Sequence, residues 1–187
     1  MRSIKSICVY CGSQPGKDPD FIKAAEILGK ELATNNIRLV YGGGSRGIMG
    51  AVSQSVQDNG GNVLGIIPEF LLPKEGEWDQ SSDRLEIAIT HNMHDRKQRM
   101  FEESDAFIAL PGGIGTLEEI VEIITLAQLG RHQKPIAFLN TNNFWQPMLE
   151  LIDHMKQSGF IHTANKVTPI VIDNAQDVIS MIAEQPS

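Results

Sequence analysis

The chain has 187 residues, of which 41% are hydrophobic and 21% charged, and its formal net charge at pH 7 is −7. This composition is typical of a globular protein, and the length suits one domain spanning residues 1–187. An acidic chain lacks the surplus of Lys and Arg that neutralises a phosphate backbone, which argues against nucleic acid as a general partner.

The cysteine count and the lengths of the apolar runs bear on the compartment in which we expect the protein. Two cysteines are too few for a disulfide framework. No apolar run approaches the roughly 20 residues that cross a bilayer, so we expect no membrane partner. A cytoplasmic location follows as an expectation.

Short apolar segments alternate with helix-length amphipathic segments along the chain. Most of the apolar segments are continuous, which is typical of strands covered on both faces. The predicted strands are 4–10, 37–41, 62–67, 85–90, 105–110, 135–139 and 168–172, and the predicted helices are 19–35, 47–58, 93–104, 115–129, 144–157 and 175–184. The alternation predicts an α/β fold with a doubly wound, mostly parallel sheet of about seven strands and helices on both faces.

The first glycine-rich turn, 41–50, follows a predicted strand and opens a predicted helix. Gly42, Gly44 and Gly47 have the spacing G-x-G-x-x-G, but the residue about 20 positions on is Asn62, where a dinucleotide site needs an acidic residue. An NAD-linked oxidoreductase is therefore disfavoured. Two interpretations stay open: a backbone cradle for a phosphate, or a tight turn that needs positive φ.

The stretch 71–83 is the one long irregular loop that the pattern predicts. Loops of this kind often cover a binding site, because they carry variable residues on a rigid scaffold. In a doubly wound sheet, ligands bind beyond the carboxyl ends of the strands. We therefore expect this loop to border the site.

A predicted helix beginning at Met93 carries two cations between two methionines. Met93, Arg96, Lys97 and Met100 have i, i+3, i+4, i+7 spacing and share one face. If that face packs inward, the cations need an anionic partner, which favours a pocket for a phosphate or carboxylate. The alternative is that both long side chains extend to solvent.

A second glycine-rich turn, 111–119 (PGGIGTLEE), follows the strand predicted at 105–110. Its glycines let the main chain approach an anion, and the helix start with the Thr116 hydroxyl supplies donors. The alternative is a capping box, since Thr116 and Glu119 have its spacing and Glu119 would then only close the first helical turn.

A cysteine pair and a histidine pair have spacings that argue against a redox site and a metal site. Cys8 and Cys11 have redox-motif spacing, but their odd separation on a strand places the thiols on opposite faces. His91 and His94 lack the i, i+4 spacing of a helical zinc pair. We expect neither a metal ion nor a cofactor.

Four motifs together resemble a known family: VYCGS (9–13), VYGGGSRGIMG (40–50), MHDRK (93–97) and PGGIGTLEE (111–119). They are similar to the LOG family, the cytokinin riboside 5′-monophosphate phosphoribohydrolases, long mislabelled as lysine decarboxylases. The resemblance covers residues 4–160, and the pair MxxRK and PGGxGTxxE is highly specific to the family. It implies a Rossmann-like domain that binds a nucleoside 5′-monophosphate, a homodimer, and hydrolysis of the base–ribose bond.

Carried over residue by residue, the resemblance implies that Arg96 and Glu119 are catalytic. The implied substrate-binding residues are Glu75, Lys97, Gly112, Gly113, Ile114, Gly115, Thr116, Leu117, Glu118 and Thr125, with Gly12, Ser13, Gly43 and Gly44 of the upstream motifs. Cleavage of an N-glycosidic bond passes through an oxocarbenium-like state, which a carboxylate such as Glu119 can stabilise while it activates water. Arg96 would anchor the substrate with its planar charged fork, and the second glycine turn would hold the 5′-phosphate.

Two alternatives stay open. Ile114 stands where plant members often carry Tyr, so AMP is the alternative main substrate of the same hydrolysis. The other alternative is a non-catalytic nucleotide-binding or carrier module on the same fold. A pure phosphate binder would not need Arg96 and Glu119 together. A decarboxylase would normally use pyridoxal phosphate, and no sequence context identifies a Schiff-base lysine.

Overall fold

The computed structural model describes residues 3–78, 82–161 and 167–185 of the chain. Within them lies a seven-stranded sheet with the order β4-β3-β2-β1-β5-β6-β7, and every pairing in it is parallel. The strands are β1 (Ser6–Tyr10), β2 (Arg38–Tyr41), β3 (Val63–Pro68), β4 (Leu85–Thr90), β5 (Ala106–Ala109), β6 (Ile136–Leu139) and β7 (Ile170–Ile172). The predicted fold class is confirmed.

Helices cover both faces of this sheet. They are α1 (Pro19–Thr34), α2 (Gly47–Asp58), α3 (Leu72–Glu75), α4 (Met93–Glu102), α5 (Ile114–Gln128), α6 (Gln146–Gln157) and α7 (Val178–Ala183), with 3-10 turns at Glu69–Leu71, Thr141–Asn143 and Ala175–Asp177. Side chains alternate along β1, so Ile7 and Val9 enter one hydrophobic core while Cys8 and Tyr10 enter the other. The first core lies under α1, α2 and α7, and the second under α4 and α5.

The start of α1 follows from its first residues. Asp18 is the N-cap and accepts a hydrogen bond from the Asp20 amide at 3.0 Å, and Pro19 is the first helical residue. This placement satisfies an otherwise unpaired amide and uses the fixed φ of proline. The helix packs against α2 at Gly29, where a methyl group would lie 2.8 Å from the Val52 carbonyl oxygen.

The order of the strands places a crevice at the carboxyl ends of β1 and β5. The chain moves outward from β1 to β4 on one side and from β5 to β7 on the other, so the connections after β1 and β5 diverge at this point. A hydrogen bond of 3.1 Å from the Gly12 amide to the Pro111 carbonyl oxygen joins the two loops that form its floor. Both glycine-rich turns therefore open beside this crevice.

One expectation about local structure is wrong in part. The predicted irregular loop 71–83 begins with helix α3, which follows a 3-10 turn. The helix is anchored, because both the amide and the hydroxyl of Ser45 donate to the Glu75 carbonyl oxygen, at 3.2 and 3.0 Å. Residues 79–81 of the predicted loop lie outside the described residues.

Within residues 3–78, 82–161 and 167–185, no helix is both long and apolar enough to cross a membrane.

Candidate active site

A cleft of about 260 Å³ occupies the crevice at the switch point of the sheet. It is bounded by the loop after β1, the first glycine turn, α3, the start of α4 and the start of α5. Of the predicted site residues, the cleft brings together Gly12, Ser13, Glu75, Arg96, Gly113, Gly115, Thr116, Glu118 and Glu119. The second glycine turn and the helix with two cations therefore meet in one place.

Arg96 is buried at the base of this cleft, with 6% of its surface exposed. Helix α4 begins there because the Asn92 side chain caps it, accepting from the Asp95 amide at 2.9 Å, while Met100 fixes the same face in the core. Nε of Arg96 donates to the Ile66 carbonyl oxygen at 3.0 Å. For Arg96, the alternative of a side chain extended to solvent is wrong.

The remaining nitrogens of Arg96 also have fixed partners. Nη2 donates to the Gly42 carbonyl oxygen at 3.2 Å, and Nη1 donates to Oε1 of Glu119 at 2.8 Å. Each Nη also carries a second N–H, which leaves donor capacity for a ligand. The guanidinium is therefore held in a fixed plane with spare N–H groups beside the cleft.

Glu119 is the buried acidic partner, with 7% of its surface exposed. Burial raises the pKa of its carboxyl above the ordinary value, Arg96 and Lys97 oppose the rise, and Glu118 adds to it. The capping-box alternative is wrong, because α5 begins at Ile114 with Gly113 as a cap that makes no side-chain bond. The Glu119 carboxylate binds Arg96 and does not fold back on the helix start.

The amino end of α5 opens directly into the cleft. The Leu117 amide is the donor that begins the helical ladder, binding the Gly113 carbonyl oxygen at 3.1 Å, so the amides before it have no partner within the helix. Such amides, together with the positive end of the helix dipole, favour an anion. A side chain at Gly112 would collide with the Thr116 side chain, which keeps this turn close to the helix.

Lys97 and its neighbour Arg96 bind different carboxylates. Its Nζ forms ion pairs with Glu118 at 2.6 Å and with Glu122 at 2.5 Å, which join α4 to α5. Burial lowers the pKa of Lys97, but these two carboxylates more than offset it, and the net pKa is raised. Lys97 does not line the cleft and contacts it through Glu118.

Several predicted substrate-binding residues lie outside this cleft. Ile114 is 81% exposed, and the Thr125 hydroxyl donates to the Val121 carbonyl oxygen on the outer side of α5. Leu117 packs against the core below α5. Gly43 has positive φ and accepts a hydrogen bond from the Trp78 indole, while Gly44 lines a separate cavity beside Tyr41.

Sequence reasoning missed residues that also line the cleft, among them Tyr10, Cys11 and Met49. Gly42 and Met93, which the sequence analysis placed in a possible phosphate cradle and on the inward helix face, line it too. The position of Tyr10 and Cys11 after a predicted inner strand was a usable signal, since ligands bind at strand carboxyl ends. The predicted separation of the thiols is confirmed: Cys8 and Cys11 are both free and enter opposite cores. Burial raises the pKa of both thiols, which is the reverse of a reactive redox cysteine.

Comparison with known proteins gives strong sequence matches. The model of a family described as "Possible lysine decarboxylase" matches residues 49–182. A probable cytokinin riboside 5′-monophosphate phosphoribohydrolase of Oryza sativa subsp. japonica is 45% identical over 181 residues, which cover 97% of this chain and 77% of that protein. A cytokinin riboside 5′-monophosphate phosphoribohydrolase of Arabidopsis thaliana is 46% identical over 178 residues, covering 95% of this chain and 81% of that protein.

Solved structures match the fold. The molybdenum cofactor binding protein of Rippkaea orientalis has a TM-score of 0.68 and 24% identity, over 98% of this chain and 97% of that one. The molybdenum cofactor carrier protein of Chlamydomonas reinhardtii has a TM-score of 0.67 and 22% identity, over 97% of this chain and 98% of that one. At these identities the likeness shows a shared fold and carries no statement about ligand.

Proposed function

Because this chain belongs to the LOG family of cytokinin riboside 5′-monophosphate phosphoribohydrolases, we propose that its cleft is where it hydrolyses the base–ribose bond of a cytokinin nucleotide. The products are the free base and ribose 5-phosphate. The observation that carries the activity is an identity of 45% over 97% of the chain to a relative with that name. Its location rests on the buried pair of Arg96 and Glu119.

The description of the family model as a lysine decarboxylase does not suit the lysine beside this cleft. A lysine that attacks a carbonyl group needs a lowered pKa. Lys97 has a raised pKa and is held by Glu118 and Glu122. The hydrolase activity is assigned from the identity to the named relatives, and the state of Lys97 agrees with it.

The 5′-phosphate binds at the amino end of α5. The amides of the second glycine turn are directed there, and Gly113, Gly115 and Thr116 line that wall of the cleft. Arg96 is already neutralised by Glu119, and the other charged residues of the cleft, Glu75 and Glu118, are acidic. We therefore assign the anion to the main-chain amides and the Thr116 hydroxyl at the start of α5, and the carboxylates suit ribose hydroxyls, which are hydrogen-bond donors.

Glu119 acts on the sugar carbon and on water. Its carboxylate stabilises the positive charge that develops on the ribose and removes a proton from the attacking water, whose oxygen joins C1′ as the C1′–N9 bond breaks. The departing base keeps the electron pair of the broken bond and takes a proton from solvent, and Glu119 returns to solvent the proton that it removed from the attacking water. Arg96 holds Glu119 in place and uses its spare N–H groups to anchor the substrate.

A homodimer is the proposed assembly. Ile114, Val121 and Leu129 are 81%, 42% and 68% exposed, and their spacing places them on one side of α5, of which Leu129 is the C-cap. Thr125 lies on the same side. A second copy of the chain would cover this apolar surface and would bring Ile114 and Thr125, two predicted substrate contacts, into an enclosed environment.

We also propose that residues 1–187 form one domain in the cytoplasm. Strands near both ends of the chain, β1 and β7, belong to the same sheet. Both cysteines are free thiols, which suits a reducing compartment.

The activity is tested by incubating the full chain with isopentenyl-AMP and, separately, with AMP. We expect free base and ribose 5-phosphate from the first, and the ratio of kcat/KM values ranks AMP as a substrate. Release of neither product, with tight nucleotide binding retained, would contradict the hydrolase and favour a carrier.

The location of the chemistry is tested by Glu119→Gln, which keeps size and loses charge. We expect kcat to fall by at least about 100-fold, the scale of acid–base catalysis. Glu122→Gln is the matched control on the same helix, because Glu122 pairs with Lys97 outside the cleft, and it should keep most of the activity. Near-normal turnover by Glu119→Gln would exclude Glu119 from the reaction.

A further inference from the structure

Gly42 touches the guanidinium of Arg96 in two ways. It follows β2 directly, lines the cleft, and its carbonyl oxygen accepts a hydrogen bond from Nη2 at 3.2 Å. Its Cα also faces Arg96: a methyl group at position 42 would overlap Nη2 and would lie 3.1 Å from Sδ of Met49. The guanidinium therefore occupies the space that any side chain at this position would need.

The turn itself does not require glycine at position 42. Gly43 and Gly47 have φ of +80° and +60°, values that side chains rarely adopt, whereas Gly42 does not have positive φ. An alanine at position 42 would be free of backbone strain. Because residue 42 has no side chain, the guanidinium of Arg96 has room beside it.

The other contacts of Arg96 define what would change if that room were filled. Nε is held by the Ile66 carbonyl oxygen on β3, and Nη1 is held by Glu119 on α5. The end of an arginine side chain can move with little cost to the fold, since no backbone has to shift. Here, however, the end that would move is the group that pairs with Glu119.

We propose that Gly42 is a positioning residue for the reaction: its missing side chain and its carbonyl oxygen together seat the Arg96 guanidinium against Glu119. The inference rests on the proposed function, in which Arg96 and Glu119 perform the hydrolysis. It adds a residue that acts on the substrate only through Arg96. Glycine is thus required at position 42 by the placement of Arg96 for the reaction, and not by the backbone conformation of the turn.

The direct test is Gly42→Ala. We expect cooperative unfolding to persist, and kcat to fall by about 100-fold, because small misplacements of catalytic groups have effects of this size. KM should change less than kcat. A variant that keeps more than half of wild-type kcat would overturn the proposal.

The pH profile separates positioning from general damage. Displacing Arg96 weakens the interaction that opposes the raised pKa of Glu119, so the acid limb of kcat/KM should move to higher pH in Gly42→Ala. The substitution changes none of the other titratable groups that face Glu119. These are Glu75 from α3, His94 and Lys97 from α4, Glu118 and Glu122 from α5, Cys8 and Tyr10 from β1, and Cys11 just after β1. An unshifted acid limb would contradict the proposal.

The effect of Gly42→Ala is also measured in a chain that already carries Arg96→Ala, which serves as the control. Once the guanidinium is gone, the one close neighbour of a methyl group at position 42 is Sδ of Met49, at 3.1 Å, which belongs to a flexible side chain and can yield. The double variant should therefore match Arg96→Ala in melting temperature and in the pKa of Glu119, followed by ¹³C NMR. Equal additional losses in both backgrounds would show a structural role and overturn the proposal.

The NMR measurement also keeps this inference distinct from the proposed function. If the wild-type chain releases no base, the function fails, but the seating of Arg96 is still measured by the pKa of Glu119. We expect a higher pKa in Gly42→Ala than in the wild type. Equal values would overturn the positioning role whether or not the chain is active.

Discussion

The buried pair of Arg96 and Glu119 has a cost as well as a use. Removing two charges from water is unfavourable, and such pairs are often replaceable by apolar residues with no loss of stability. This pair is 2.8 Å apart at the base of a cleft, and the proposed reaction gives it a use there. Burial raises the pKa of Glu119, which makes the carboxylate a better base than an exposed glutamate.

The raised pKa predicts how the reaction depends on pH. A carboxyl group must be ionised to act as a base, so activity is lost as pH falls through the pKa of Glu119. Because that pKa is raised, kcat/KM should decline on the acid side at a pH above the ordinary range of glutamate. A pH–rate profile of the wild-type chain checks this, with circular dichroism at each pH to confirm that the fold persists. An acid limb at or below the ordinary pKa would contradict the assignment.

At the scale of elements, the contact of α1 with α2 reverses the stability change that helix propensity predicts for Gly29→Ala. Glycine inside a helix is destabilising by about 0.5–1 kcal/mol relative to alanine, so propensity alone favours Gly29→Ala. In this packing, a methyl group at Gly29 would lie 2.7 Å from Cβ of Ser55 and 2.8 Å from the Val52 carbonyl oxygen. The second of these atoms is backbone and cannot move away without shifting α2.

We therefore expect Gly29→Ala to destabilise the protein by about 1–3 kcal/mol, the usual cost of overpacking. Urea unfolding monitored by circular dichroism measures the change in free energy. Lys30→Ala, at the exposed neighbouring position, is the control and should stay within about 0.5 kcal/mol of the wild type. A stabilised Gly29→Ala would mean that the helices separate easily at this point.

At the scale of the whole molecule, α5 has three different surroundings. Its amino end faces the cleft, Ile120 and Ile123 pack in the core, and its outer side exposes Ile114, Val121 and Leu129. The proposed dimer uses these exposed apolar side chains as its interaction surface. In the proposed dimer, the same helix would bind substrate and partner.

The dimer predicts a specific response to charge. We expect the wild-type chain to sediment as a dimer, and Leu129→Glu to shift it toward monomer, because the new carboxylate would be buried without a partner. Leu151→Glu is the control, since Leu151 is also exposed, at 51%, but lies on α6. A wild-type monomer, or equal dissociation by both variants, would contradict an interface on α5.

Much of the fold could be predicted from local patterns. All predicted strands are present, and α1 begins at Pro19 with Asp18 as its cap, because apolar periodicity and capping act over a few residues. The exception is α3, where the Ser45 amide and hydroxyl bind the Glu75 carbonyl oxygen and order a segment without a local helical pattern. That contact joins positions 30 residues apart.

The sequence by itself determined the alternation of strands and helices, the two glycine turns, and the motifs that carry Arg96 and Glu119. Only the tertiary structure decided what these residues do to one another. It removed the capping box by pairing Glu119 with Arg96, separated Lys97 from the cleft, and placed Gly42 against the guanidinium. The physical reason is distance along the chain: Arg96 takes its acceptors from positions 23, 30 and 54 residues away, and no local pattern reports such contacts.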